Sequence, residues 1–144
     1  MPPSTQRTGL STCSIFFATL SLAAQGCASL HHPGCNEGEK WAVTDTLYFG
    51  AAKPGGLVTE EQWNLFIDEA ATPAFPEGLT TWSAEGRWRM ANGAIEHEPS
   101  HVLQLTHDGT DARDRAVRTI MERYKKDFQQ EAVLRVRSRT CISF

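Results

Sequence analysis

Apolar and polar residues alternate from Trp41 to Phe49: residues 41, 43, 47 and 49 fall on one side with Asp45 as the exception, and Thr44, Thr46 and Tyr48 on the other. That period of two predicts a half-buried strand ending at Gly50. Lys53-Pro54-Gly55-Gly56 then makes a turn. A helix start follows, because Thr59 and Gln62 have the spacing of a capping box and Val58 and Trp63 that of a hydrophobic staple. Trp63, Phe66, Ile67 and Ala70 recur as on a helix with one buried face, and Pro73 stops it.

Between Gly78 and about Thr106 the pattern is that of a long hairpin turning at Asn92-Gly93. Asn-Gly between strand-like runs predicts a two-residue type I′ turn, whose central residues both take positive φ. Such a turn sets Arg89 opposite Glu96, Trp88 opposite His97 and Arg87 opposite Glu98. The two arginines and two glutamates then form an ionic ladder on one face, with Trp88, Met90, Ile95 and His97 on the apolar other. Gly86 and Pro99 fall at roughly facing places and predict a bulge or bend.

Asp108-Gly109 marks the next turn. From Asp111 to Gln130, the positions of Ala116, Val117, Ile120, Met121, Tyr124 and Phe128 predict a second amphipathic helix of about five turns. A last strand from Val133 to Phe144 puts Leu134, Val136, Ile142 and Phe144 on one face and Arg135, Arg137, Arg139 and Cys141 on the other. The order strand, helix, strand, strand, helix, strand predicts an α+β fold. With right-handed crossovers it is a ferredoxin-like βαββαβ two-layer sandwich, a four-stranded antiparallel sheet with two helices on one face. The last strand lies antiparallel beside the first, which brings Cys141 toward the segment carrying Cys35.

The start of the chain is of another kind. Arg7 is the only charge before Glu37, and Ile15 to Ala24 is an apolar run. A run of about ten residues suits the core of a signal peptide and falls short of the roughly twenty that span a bilayer, so export is expected. Ala24-Gln25-Gly26-Cys27 resembles the lipobox of bacterial lipoproteins, where the Cys is lipidated and becomes the mature N-terminus; ordinary cleavage nearby, for instance after Ala28, is the alternative. Residues 1–27 thus read as signal peptide and lipobox, 28–40 as a flexible tether without periodicity, and 41–144 as a single α+β domain. The expected location is the periplasm, anchored to the outer membrane through Cys27, a destination that Ser29 in place of Asp leaves open.

The formal net charge of −3 becomes −4 once Arg7 leaves with the leader, and so mild an acidity argues against nucleic acid as a partner. Cys27, His31, His32 and Cys35 match no closed zinc spacing, and no metal or cofactor is expected. With Cys13 removed and Cys27 lipidated, Cys35 and Cys141 are the thiols left in an oxidising compartment, and a disulfide between them is the economical reading.

Many uncommon residues in a fixed order carry a family resemblance. Thr46-Leu47-Tyr48-Phe49-Gly50, Trp63, Phe66, Thr72-Pro73, Phe75-Pro76 and Gly78-Leu79-Thr80 come first. Gly86, Trp88, Gly93, Glu98, Ser100 and Val102 follow, then Tyr124, Phe128, Gln130-Glu131, Val133-Leu134 and Ser143-Phe144. Together they resemble the bacterial "domain of unknown function 3574" family over about residues 44 to 144. The sequence departs from the family's pattern at Arg87, where Gln is usual, and around Pro99 and His101. The resemblance implies a lipoprotein-like leader and no assigned activity.

Candidate chemistry is sparse. His97, His101 and His107 share parity, but Pro99 is expected to break the register, and a span of about 30 Å excludes one shared metal. Glu96 and Glu98 have the spacing of an acid/base pair, yet the arginines opposite favour ion pairs. Asp45 on an apolar face is either satisfied by donors, the favoured reading, or a carboxylate of raised pKa. Ser100 lies in no nucleophile elbow, no Gly-rich phosphate loop is present, and no catalytic residue is assigned. Trp82 and Trp88 read as core. The face without helices is expected to carry Thr44, Thr46, Tyr48 and the Arg135, Arg137, Arg139 row, a stripe that attracts anions. Candidate binding residues are Asp45, Tyr48, Arg87, Trp88, His97, Glu98, Arg135 and Arg137. The expected function is a non-catalytic envelope lipoprotein domain that binds a small anionic ligand or a partner, a homodimer included, on the open sheet face. The alternative is a small ferredoxin-like enzyme, resembling monooxygenases and isomerases, with a pocket near the hairpin of residues 79–107.

Overall fold

The structure is a computed structural model that describes residues 34–144 apart from residues 90 and 91 and the side chain of Trp88. The expected leader, Cys27 and most of the tether fall outside the described residues. Strand β1 (Lys40–Gly50) is followed by a small hairpin, β2 (Ala52–Lys53) and β3 (Gly56–Leu57), and by α1 (Glu60–Phe66), which continues as a π-helical turn over Ile67–Ala71. Then come β4 (Leu79–Arg89), β5 (Ile95–His107), α2 (Asp111–Phe128) and β6 (Leu134–Ile142). The four long strands form one antiparallel sheet in the order β4-β5-β1-β6. With both helices packed on one face, this is the ferredoxin-like sandwich that the element order predicts.

Local chemistry explains the elements. Thr59 Oγ1 accepts the Gln62 amide at 3.3 Å and Gln62 Oε1 accepts the Thr59 amide at 3.1 Å, so both halves of the capping box close and α1 starts there. Val58 and Trp63, the staple pair, are both buried. The last turn widens, with the Thr72 amide reaching back to Ile67 O at 2.9 Å, just ahead of Pro73. Thr110 caps α2, whose far end is held by Gln129 in the left-handed region at φ 55°. The inward residues of β1 and β5, Leu47, Phe49, Leu103 and Leu105, meet Trp63, Phe66, Val117, Ile120 and Tyr124 of the helices in one core. Phe49 packs edge-on to Tyr124 at 4.6 Å, and the Tyr124 hydroxyl donates to Gly50 O at 2.9 Å. Cys35 and Cys141 are joined in a disulfide with Cα atoms 5.5 Å apart.

Three expectations are corrected. The hairpin is one residue out of the predicted register: Arg89 pairs with Ile95, Trp88 with Glu96, Arg87 with His97 and Gly86 with Glu98, so the pairs are symmetric about Asn92 itself. Asn92 Oδ1 accepts the Ala94 amide at 2.9 Å and Gly93 sits at φ 85°. The side chain thus draws an extra residue into the loop, as in three-residue hairpins with Gly in the left-handed position. This slip takes Arg87 and Arg89 out of register with Glu98 and Glu96, so the predicted ionic ladder does not form. Pro99 does not break the strand, since pairing runs through it and its carbonyl accepts the Ala51 amide at 2.9 Å. In β6 the faces are exchanged: Arg135 lies beside Leu47 and Arg137 beside Asp45 on the helix side, while Leu134 and Val136 stand on the open face, 61% and 49% exposed.

Candidate ligand-binding site

The register slip creates the principal cavity. It sets Gly86 in place of Arg87 opposite Glu98 on the open face, where Ser100 lies between Ala84 and Gly50. Small residues therefore surround one half-buried carboxylate. At this end of the sheet the strands, together with the α2–β6 loop, enclose a cavity of about 500 Å³ whose lining includes Tyr48, Arg87, Glu96, Glu98, Gln130 and Leu134. Glu98 Oε1 accepts the Ala52 amide at 3.2 Å, and Gln130 Nε2 donates to Ala52 O and, at 3.4 Å, to Phe128 O. The fit is close: a Cβ on Gly50 would lie 2.5 Å from Glu98 Oε1 and 3.1 Å from Gln130 Oε1. Glu98 forms no ion pair among the described residues, though Arg87 shares the cavity wall. Burial raises the Tyr124 hydroxyl pKa well above its ordinary value, with the Glu98 charge adding to the shift, so Tyr124 stays a neutral donor to Gly50.

A second constellation lies on the helix side. Arg135 grips fully buried Asp45 with Nε–Oδ1 at 2.8 Å and Nη2–Oδ2 at 2.7 Å, and reaches Asp114 Oδ1 of α2 at 2.8 Å. Arg137 bridges the same two acids, at 2.9 Å to Asp114 and 3.4 Å to Asp45. The Gly109 amide donates to His107 Nδ1 at 3.0 Å, which assigns the ring proton to Nε2, and Nε2 donates to Asp45 Oδ2 at 2.9 Å. Burial pushes the Asp45 pKa up, but the bonds from Arg135 and His107 and the charges of Arg135 and Arg137 outweigh it, and the pKa is lowered. Asp114 falls to about 2 through its bonds to Arg118 and Arg135. The acids and bases here are paired with one another, and the cluster ties β1, β5, β6 and α2 together.

The structure thus divides the candidate residues. Tyr48, Arg87 and Glu98 come together at the cavity, while Asp45, Arg135 and Arg137 form the buried network. The two arginines consequently give an anion no stripe on the open face. His97 is exposed beside Arg87 in register and lies outside the cavity lining. Trp88 keeps its place in β4, its side chain outside the described residues. Trp82, read as core, is 42% exposed on the open face. His101 is buried, stacked on Trp63 at 4.7 Å and 9°, with no hydrogen bond at Nδ1, which lies 4.0 Å from Glu60 Oε1. Gln130 and the small-residue floor escaped sequence reasoning, although the clustering of Gly50, Ala51, Ala52 and Gly86 was visible in it.

The fold and cavity define an α+β sandwich domain with an open sheet face. The chain belongs to the family of proteins of unknown function DUF3574, which it matches over residues 44–144. No curated protein matches it in sequence. Among solved structures it is similar to a phage SAM lyase in complex with S-methyl-5′-thioadenosine, at 12% identity, covering 76% of this chain and 93% of that one, with a TM-score of 0.54. A phage SAM lyase in the apo state is similar at 16% identity, 74% and 91% coverage and a TM-score of 0.49. At such identities the likeness is one of fold.

Proposed function

We propose that this domain is an exported ligand-binding module whose open-face cavity takes a small amphoteric molecule, its cationic group on Glu98 and its anionic group toward Arg87. The observation that carries the reading is the half-buried Glu98 carboxylate, fixed by one backbone amide, without an ion-pair partner among the described residues, and facing a cavity of about 500 Å³. Cavities of this order hold small molecules, and a few fixed polar groups within largely apolar walls set their orientation. Tyr48 and Leu134 supply such walls. The Cys35–Cys141 disulfide supports an oxidising compartment, and with it export; lipidation at Cys27 and residence in the periplasm at the outer membrane belong to the same proposal and rest on the leader sequence alone. The enzyme reading has in its favour a fold similar to that of a phage SAM lyase.

Calorimetric titration with amino acids, betaines and S-methyl-5′-thioadenosine tests the proposal. A ligand of the amphoteric class is expected to bind, and Glu98→Gln to weaken it by about tenfold or more, the worth of one charge-assisted hydrogen bond. Binding that Glu98→Gln leaves unchanged, or no binding by any of this class, would refute it.

A further inference from the structure

Beyond the cavity, two neighbouring rows of the open sheet face combine apolar and uncharged polar residues. Trp82 of β4, Val102 of β5, Tyr48 of β1 and Leu134 of β6 lie in register as one row across all four strands. Trp82 and Tyr48 stand out at 42% and 39% exposed, whereas Val102 between them is fully covered. The next row is Thr80, Gln104, Thr46 and Val136. Neither row carries a charge. Several polar groups are already partnered within the chain, with Gln104 Nε2 donating to Thr46 Oγ1 at 3.4 Å and Thr44 Oγ1 3.2 Å from Thr106 Oγ1, which lowers the cost of covering them.

We infer that a second copy of this chain covers this face. A two-fold axis parallel to the strands, between two such faces, keeps each row at its own height and reverses the strand order. Strand β4 of one copy then lies over β6 of the other, and β5 over β1. Trp82 meets the partner's Leu134, Tyr48 meets the partner's row at the position of its covered Val102, and Thr80 meets the partner's Val136. The row is therefore complementary to itself, as an isologous interface requires, and the packing is that of aligned sheets. Strands about 4.8 Å apart and some 27 Å long give a face of roughly 500 Å² in projection. Side-chain relief brings its accessible area toward the roughly 800 Å² per partner of a standard interface. These two uncharged rows let two copies of a chain with net charge −3 meet, and they lack the cations that an anionic lipid surface would attract. Tyr48 and Leu134 also wall the cavity, so the second copy closes its open side.

The inference stands apart from the ligand proposal, because its readout is mass measured without ligand. Sedimentation velocity of the purified protein is expected to give a dimer. W82E, L134K and V136E, all at exposed positions, are expected to give monomers with unchanged circular dichroism melts. Mixing W82E with L134K is expected to restore the dimer, since the new charges face each other across the axis while the other half of the interface stays native. A wild-type monomer at the highest attainable concentration would overturn the inference. So would a dimer that all three single variants leave intact, or monomeric variants that mixing fails to restore.

Discussion

Replacing Gly50 by Ala probes the cavity from behind. The added Cβ would lie 2.5 Å from Glu98 Oε1 and 3.1 Å from both Glu98 Cδ and Gln130 Oε1. Ordinary contact begins near 3.4 Å, so the carboxylate must retreat by roughly 0.9 Å. Its bond to the Ala52 amide, already 3.2 Å long, does not survive that shift. The loss costs about 1 kcal/mol, and the lower entropy of an unfolded chain with Ala in place of Gly returns about 0.5–1 kcal/mol. Global stability by urea denaturation should therefore stay within about 1 kcal/mol of wild type. Ligand affinity responds differently, because a carboxylate displaced by this much loses a charge-assisted bond, a weakening of about ten- to a hundredfold by calorimetry. In a Glu98→Ala background the same substitution should cost nothing further, a clear failure of additivity. A stability loss above about 3 kcal/mol, or an affinity untouched by Gly50→Ala, would refute the reasoning about how Glu98 is held.

The buried network fixes the acid limb of stability. Asp45 and Asp114 both have folded pKa values below the ordinary 3.8, Asp114 at about 2, so their contribution is complete above that ordinary value and drains away as pH falls through the folded values. Urea denaturation should show a level plateau toward neutral pH and a steep fall below pH 3.8. Asp45→Asn should flatten part of that fall while lowering stability at neutral pH by roughly 3 kcal/mol, because Arg135 is left buried without its main counter-charge. At the other end of α2, Gln129→Gly removes the cost of a side chain at φ 55° and should raise stability by about 1 kcal/mol, seen as a higher urea midpoint at constant slope.

The elements and their faces were legible wherever a local rule had one solution. The β1 alternation, the Thr59–Gln62 box and the α2 stripe each allowed one structure, and element order then fixed the sheet and brought Cys35 to Cys141. The hairpin register was not legible, because Asn-Gly suits both two- and three-residue loops, and the longer loop goes with one hydrogen bond, donated by the Ala94 amide to Asn92 Oδ1. That ambiguity concealed the site, since a slip of one residue decides whether Glu98 faces Arg87 or Gly86. The faces of β6 were misread for a related reason. Apolar Leu134 and Val136 looked inward-facing, but Asp45, the odd residue of β1, needs buried cations, and Arg135 and Arg137 supply them from β6. The aspartate carried the signal, and it acts across 90 residues between it and Arg135, beyond the reach of any local pattern.

The Cys35–Cys141 disulfide closes the described chain within a few residues of each end, 106 positions apart. A pull applied at Gly34 and Phe144 therefore passes from one sulfur to the other, and the sandwich between them carries no load. Reduction would reroute the same tension into the hydrogen bonds joining β1 to β6, which run alongside each other from Lys40–Ile142 to Tyr48–Leu134. The bridge makes the domain a covalently closed mechanical unit, whose resistance to stretching is set by the redox state of its surroundings.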